Sequence, residues 1–295
     1  LRELGALDVG GRITAPGRQM AALTMQPRLA HLVLVAASRG SGELGAQLAA
    51  LLEERDVLRV EGPARAPADL RLRLEALQHD EREVSLHGAR VDRDALRRVR
   101  QAGREIATRT ANSGSQHNID VGVLVALAFP DRVAQRRPGS DGRYLLRNGS
   151  GAVVTRGDAL FDEPWLAIAE LDGHPPEYRV ARAVPISLED LRPEVQDQLS
   201  TDRGVDWDER TRSVKAVQRV RLGAITIEEK EISLPVQERA KLIERLLESL
   251  DTLPEQEAET LWLDAAERRA REIDQGKVQL VTPDELERRV QARLK

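Results

Sequence analysis

The sequence predicts an α+β, multidomain protein with a winged-helix unit, a helical bundle, a small OB-like β-barrel and a mainly helical tail. Apolar residues recur at helical spacing through residues 1–109, which predicts the helical parts. Short extended segments separated by turn signals lie between residues 142 and 184, and they predict the barrel. Lysine is absent from residues 1–214 and then occurs five times, which indicates that two coding histories join near residues 225–235.

Composition limits the classes of protein to which the chain can belong. Its 295 residues suffice for two or three compact domains. The absence of cysteine excludes disulfides and thiolate chemistry, and it fits a cytoplasmic location. Residues 90–147 carry 12 arginines against 6 acidic residues, which indicates either a phosphate-binding surface or a crowded charged surface. The chain begins at Leu1 instead of a methionine, so we expect a truncated amino terminus.

Residues 1–60 are predicted to form a winged-helix-like unit, although their periodicity fits a generic helical bundle equally well. A glycine turn precedes Thr14, which is placed to cap a helix that starts near Pro16. A second helix is predicted to start at Pro27, and a third follows the break at residues 40–42.

Residues 61–118 are predicted to form a helical bundle that contains one arginine-striped helix. This helix, at about residues 91–109, has an apolar face and an adjacent face that carries four arginines, which are Arg93, Arg97, Arg100 and Arg104. Arginines one turn apart match the spacing of phosphates along a strand, so this face is a candidate nucleic-acid contact. A solvated helix face would carry the same pattern.

Residues 119–230 are predicted to contain the barrel. Residues 121–129 are nearly continuously apolar, and residues 142–154 have the pattern of two strands around an Asn-Gly turn. Further strands are predicted at residues 165–171 and 178–184. Small barrels of the OB type are often used to bind single-stranded nucleic acid.

The barrel region supplies a second group of candidate contacts. Trp165 is expected in the core, because a barrel of this size needs an aromatic interior. Tyr144 lies on the predicted hairpin between two arginines, so we expect it to be exposed and to stack on bases. The candidate nucleic-acid-contacting arginines are Arg136, Arg137, Arg143 and Arg147. Their joint replacement with serine is expected to flatten the salt dependence of binding.

The first part of the chain resembles a known family. The strings at residues 4–8, 27–30, 48–56, 127–137 and 164–173 resemble the helicase-associated and OB-like C-terminal modules of HrpB-type bacterial DEAH-box ATP-dependent helicases. The resemblance covers about residues 1–228. It implies RNA or single-stranded DNA as the partner, and it implies that the helical bundle lines a nucleic-acid channel.

The motifs that would hydrolyse ATP in such a helicase are missing from this chain. The only Gly-Lys pair, at residues 276–277, is followed by Val278 and not by serine or threonine. Asp162-Glu163 is followed by Pro164-Trp165, so no Asp-Glu-x-His metal site is present. The five histidines are scattered. We therefore expect no enzyme activity in isolation, no bound metal and no cofactor. ATP and magnesium would bind only to the helicase core that this chain lacks.

Residues 231–295 are predicted to form two helices, a short strand and a last helix that opens with a capping box at residues 282–285. Their pattern resembles the antitoxin component of addiction modules, which implies a RelE/ParE-like toxin as partner. A simple helical hairpin is the alternative. The candidate toxin contacts are Trp262, Ile273, Val278 and Leu280.

The sequence therefore predicts a helicase fragment that binds RNA or single-stranded nucleic acid, joined to an antitoxin-like module. The alternative is that only the antitoxin module functions and that the front part is a remnant or an assembly chimaera. Salt-sensitive affinity for single-stranded RNA would separate the two, because a remnant is expected to have none.

Overall fold

The computed structural model describes residues 1–61, 65–78, 85–86, 88–110, 119–175, 177–208 and 213–233. The chain divides into two compact units, Leu1–Glu231 and Ile232–Lys295. Almost all of the second unit lies outside the described residues. The elements predicted for the tail therefore stay predictions, as do its candidate toxin contacts at Trp262, Ile273, Val278 and Leu280.

The first unit opens with helices, as predicted. The Thr14 hydroxyl caps the first helix by accepting a hydrogen bond from the Gly17 amide at 3.0 Å, and proline stands in the first turn of both α1 and α2. The five helices are α1 (Ala15–Ala22), α2 (Pro27–Ser38), α3 (Gly42–Glu53), α4 (Leu70–Gln78) and α5 (Arg93–Arg109).

A small antiparallel sheet accompanies these helices. Its strands are β1 (Leu58–Arg59), β2 (Ser85–Leu86) and β3 (Ala89–Val91), in the order β1-β3-β2. Strands β1 and β3 pair across the predicted boundary at residue 60. A single bridge joins Leu7 and Ile13 in the segment for which a wing is predicted. The winged-helix assignment remains a prediction.

The small closed barrel is confirmed. Helix α6 (Val121–Ala128) precedes it, so the apolar segment is helical, and the Asp120 carboxylate accepts a hydrogen bond from the Gly122 amide at 2.7 Å. The barrel strands are β4 (Val133–Arg136), β5 (Arg143–Leu146), β6 (Gly151–Val153), β7 (Trp165–Asp172) and β8 (Glu177–Pro185). They close in the order β4-β5-β6-β8-β7, with β6 parallel to β8.

A second three-stranded sheet follows the barrel. After helix α7 (Leu188–Glu194), strands β9 (Ser200–Asp208), β10 (Ser213–Leu222) and β11 (Ile225–Ile232) pair in the order β11-β10-β9. The β10–β11 turn rests on the β5–β6 turn, where the Ala224 amide donates to the Arg147 carbonyl at 2.9 Å. Gly223 has a φ of +59°, and a Cβ there would lie 2.5 Å from that carbonyl oxygen.

Two apolar cores lie within the first unit. One joins the helices to residues of β7 and β8, and the other fills the barrel. Arginines tie these parts together across long sequence separations. Arg182 on β8 donates to the Leu51 carbonyl in the last turn of α3 at 2.7 Å. Arg39 forms a two-bond pair with Glu194 at 2.7 and 2.6 Å.

No single helix in the part of the chain that the structure describes has the length and the apolar character to cross a membrane. Only α1 and α2 taken together meet the criteria of length and composition, as a pair bent by 107°.

Candidate nucleic-acid interface

Helix α5 presents the predicted arginine stripe. Its amino end is capped by Asp92, whose carboxylate accepts hydrogen bonds from the Asp94 and Ala95 amides at 3.0 and 3.1 Å. These hydrogen bonds lower the pKa of the Asp92 carboxyl, and the bond from the Ala95 amide contributes most. The apolar face of the helix packs against α3. The opposite side therefore faces solvent along 17 residues.

Three of the four stripe arginines lie at the surface. Arg93, Arg97 and Arg104 are exposed, and Arg97 forms an ion pair with Asp94. Arg100 differs, because it is half-buried and donates to the Leu77 carbonyl in the last turn of α4 at 3.0 Å. The guanidinium of Arg100 thus binds the carboxyl end of a neighbouring helix, and the role of all four arginines in binding nucleic acid stays a prediction.

The exposure predicted for Tyr144 is wrong. The side chain is fully buried in the barrel, and its hydroxyl lies 2.8 Å from the Leu160 carbonyl and 2.7 Å from the Glu163 carbonyl, which share its single O–H donor. Alternation along β5 explains this, because Arg143 faces outwards while Tyr144 faces inwards. A ring in this position cannot stack on bases. Trp165 is buried, as predicted, with 8% of its surface exposed.

The barrel arginines predicted from the sequence divide into two groups. Arg136, Arg137 and Arg143 meet at one end of the barrel, since Arg136 pairs with the residue after Arg143 and the Arg137 amide donates to the Arg143 carbonyl at 2.8 Å. Arg147 lies at the other end of β5, where its guanidinium donates to the Gln198 side chain at 2.8 Å. The four therefore do not form one patch.

The structure adds one arginine, Arg179, that the sequence analysis did not identify as a candidate. Strand register places Arg143, Val153 and Arg179 side by side on the outer face of β5, β6 and β8. Arg143 is 60% exposed and Arg179 is 40% exposed. The alternation along β8 indicates that Arg179 faces outwards. The pairing of β6 with β8, which places Arg179 beside Val153, cannot be predicted from local sequence.

Two more arginines extend this surface. Arg65 and Arg156 line a cleft of about 920 Å³ together with Arg179. We call Arg65, Arg143, Arg156 and Arg179 the barrel arginine face. Its carboxylate partners are loosely held, at 3.5 Å for Arg143–Glu177, Arg156–Asp141 and Arg179–Asp172, whereas Arg65–Asp172 measures 2.6 Å.

The barrel arginine face sets four arginines against three paired carboxylates, which leaves one positive charge in excess. The hydrogen bond from Arg65 lowers the pKa of the Asp172 carboxyl, so this carboxylate is ionised at neutral pH and partly neutralises two arginines. Exposed pairs at 3.5 Å contribute little stability and are exchanged readily for other anions. Among the described residues, no group of three or more His, Asp or Glu side chains is placed to hold a metal ion.

Comparisons with known proteins agree with this division of the chain. Residues 198–232 match the family model described as "ATP-dependent RNA helicase HrpB, connector region". Residues 233–286 match the one described as "Putative addiction module component". The chain is 31% identical over 237 residues to the ATP-dependent RNA helicase HrpB of Escherichia coli (strain K12), an alignment that covers 80% of this chain and 26% of that protein.

Two crystal structures are similar to this chain. That of the E. coli DExH-box NTPase HrpB gives a TM-score of 0.61 at 29% identity, over 81% of this chain and 26% of the other. That of the Escherichia coli DEAH/RHA helicase HrpB gives 0.60 at 26%, over 81% and 27%. Both predicted resemblances are confirmed. The chain spans about a quarter of the length of these relatives.

Proposed function

We propose that the first unit is an accessory module that binds single-stranded RNA or DNA on the barrel arginine face. We also propose that the tail binds a RelE/ParE-like toxin. The similarity to a protein named as an ATP-dependent RNA helicase supports the first proposal. The addiction-module match at residues 233–286 supports the second.

One observation carries the nucleic-acid proposal. Arg143, Val153 and Arg179 lie on the outer face of three adjacent strands, so two guanidiniums flank a small apolar side chain. The barrel order, with the third and fifth barrel strands parallel, is the one expected of an OB-type barrel. In OB-folds the face of the second and third strands binds oligonucleotides. Guanidiniums there would contact phosphates and leave the apolar surface for bases.

The α5 arginines supply a second contact in this proposal. Arg93 and Arg104 are exposed and lie on one side of the helix, three turns apart. Within the described residues, neither side chain forms a hydrogen bond or an ion pair, so both remain available to phosphates. Arg97 would exchange the Asp94 carboxylate for a phosphate.

Replacing Arg143 and Arg179 together with serine is expected to weaken binding to a single-stranded RNA decamer. The slope of log affinity against log salt should become shallower by about 0.7 for each phosphate that is no longer neutralised. Fluorescence anisotropy of the full chain between 50 and 250 mM salt (about the range over which such contacts respond) measures this slope.

The matched control replaces Arg12 and Arg18 with serine. Both are exposed, Arg12 before α1 and Arg18 within it. Two arginines are removed in each case, so this variant has the same net charge as the test variant. It separates local contacts from long-range steering by total charge. If the slope becomes equally shallow in the two double variants, the barrel arginine face is not the binding surface.

The first unit is proposed to act without hydrolysing ATP, because the chain carries no Gly-Lys-Ser/Thr loop. Purified chain incubated with ATP, magnesium and single-stranded RNA is expected to release no phosphate above a no-protein blank. RNA-stimulated release that persists through further purification would refute this.

The tail proposal has its own test. Alanine at Trp262 is expected to abolish co-purification with a RelE/ParE-like toxin, and the same is expected at the three other candidate contacts, Ile273, Val278 and Leu280. A matched control is Trp207→Ala, which changes the same residue type in β9. Toxin binding that survives all four tail substitutions would refute the assignment.

The second candidate function is an antitoxin whose front part is a remnant. The join between the matches at residues 232 and 233 favours it, because one segment ends where the other begins. This candidate predicts toxin binding without salt-sensitive RNA affinity, so the two measurements above separate the alternatives.

A further inference from the structure

A second cleft, of about 440 Å³, opens beside the loop that joins β4 to β5. Its volume lies within the range of small-ligand sites. Pro138, Pro164 and Trp165 give it apolar walls, while Arg136 and Asp162 give it polar groups. We call it the β4–β5 cleft. It is distinct from the cleft of the barrel arginine face, with which it shares no lining residue.

An arginine–aspartate pair lies in the wall of this cleft. Arg136 donates from Nη2 to Oδ1 of Asp162 at 2.9 Å. Its Nε is buried and has no hydrogen-bond partner among the described residues. The Asp162 side chain is 80% exposed, so its second oxygen is open to a ligand. The Arg136 side chain is 34% exposed, so the pair presents terminal guanidinium N–H donors beside a carboxylate acceptor, while Nε stays out of reach of a ligand.

This combination fits a nucleobase better than a phosphate. Two aspartates, Asp141 and Asp162, balance the two arginines, Arg136 and Arg137, in the lining of the cleft, so it offers a phosphate no net attraction. A base has apolar faces, which suit the two prolines, and it has donors and acceptors along its edges. Trp165 is too deeply buried to offer its ring face, so the prolines supply the stacking surfaces.

Guanine matches the pair more completely than the other bases. Its Watson–Crick edge carries the acceptor O6 next to two donors, N1–H and N2–H. A guanidinium beside a carboxylate is complementary to that order. Cytosine offers only one donor group to a carboxylate on that edge, and adenine has no adjacent pair of donors.

We propose that the β4–β5 cleft binds one unstacked guanine base of a single strand. Asp162 accepts from N1–H and N2–H, and Arg136 donates to O6. This inference rests on the proposed single-strand binding and adds base specificity to it. The strand continues from the cleft onto Arg143, which lies beside Arg137 at the same end of the barrel.

The test uses the full chain and four uridine decamers that differ only in a central G, A, C or U. We expect the G decamer to bind about tenfold more tightly than the others, the discrimination typical of one good bidentate contact. Equal affinity for all four, or a preference for C, would overturn the inference and leave the proposed function intact. Binding to none of them would overturn both.

A variant of the pair sharpens the test. Asp162→Asn keeps the shape but removes the carboxylate, and it is expected to reduce the preference for G to less than about threefold. Its affinity for the uridine decamer should stay the same or rise, because an exposed negative charge is lost. The matched control is Asp202→Asn, which alters an exposed pair with Arg221 away from the cleft. Loss of G preference in both variants would contradict the assignment.

The cleft could also bind guanine as a free nucleotide, so the last measurement is the affinity of the chain for GMP. We expect GMP to bind at least tenfold more weakly than the G decamer, since it lacks the contacts of neighbouring phosphates. GMP that binds as tightly as the decamer would overturn the assignment to a strand.

Discussion

Replacing Asp56 with alanine is expected to lower the free energy of unfolding of the first unit by about 3–5 kcal/mol, because it leaves a buried guanidinium without its counter-ion. Arg73 is almost fully buried and donates to both carboxylate oxygens of Asp56, at 3.1 and 2.6 Å. It also donates to the carbonyls of Pro67 and Asp69 at 2.5 and 3.0 Å. These bonds join the segment that follows α3 to α4 and to the residues just before α4, so their loss would loosen the helical part.

The same pair predicts acid sensitivity. Burial alone would raise the pKa of the Asp56 carboxyl, but the hydrogen bonds and charge of Arg73 outweigh it and hold this pKa below its usual value. A lowered folded-state pKa gives stability above the unfolded value of about 3.9 that is lost as the pH falls through the folded value. Asp56→Ala should therefore unfold with a weaker dependence on pH below about 4.

Urea denaturation of the full chain, followed by circular dichroism, measures both effects. The control is Asp94→Ala, which breaks an arginine pair on the surface of α5 and should cost less than about 1 kcal/mol. A similar loss in the two variants would show that the Asp56–Arg73 pair does not stabilise the fold beyond a surface pair.

Replacing Tyr144 with alanine is expected to cost about 3–5 kcal/mol, the usual range for removing a large buried aromatic side chain. The ring fills the barrel interior among Leu146, Leu160 and Leu166, which are fully buried. Tyr144→Phe keeps the ring and loses the hydroxyl. The Glu163 carbonyl then lacks this donor, at a cost of about 1–3 kcal/mol, while the Leu160 carbonyl still accepts from the Glu163 amide at 3.3 Å.

Tyr144 also predicts sensitivity to alkali. Burial raises the pKa of the Tyr144 hydroxyl to about 12. A raised folded-state pKa gives stability that is present below the unfolded value of about 10 and lost as the pH rises through the folded value. Thermal melting between pH 9 and about 12 should therefore show a fall that is smaller in Tyr144→Phe.

Tyr178→Phe is the control for both Tyr144 variants. Tyr178 is half-buried on β8, so its change should be within about 0.5 kcal/mol. If Tyr144→Phe is as stable as Tyr178→Phe, the Glu163 carbonyl does not depend on the Tyr144 hydroxyl.

Local patterns predict much of the fold correctly. The turn at Asn148 and Gly149 specifies the β5–β6 hairpin, because Gly149 adopts the positive φ of +91° that such turns require. Apolar spacing locates α5, and Thr14 marks the start of α1. Each of these signals acts over a few residues, so it does not depend on the rest of the chain.

Residue exposure is harder to predict, because it depends on partners distant in sequence. Alternation along β5 indicates that Arg143 and Tyr144 face opposite sides, but closure of the barrel decides which side is buried. Arg100 follows the stripe by spacing, yet the end of α4 engages its guanidinium. Arg179 joins the candidate interface only through the parallel β6–β8 pairing.

The measurement that tests the central claim most directly is a salt titration of the unmodified chain binding to a single-stranded RNA decamer. The account predicts a linear fall of log affinity with log salt and a slope of about −2 or steeper, since three or more phosphate contacts contribute about 0.7 each. Undetectable binding at low salt, or a slope near zero, would contradict nucleic-acid binding by the first unit and would leave the antitoxin-like tail as the functional part.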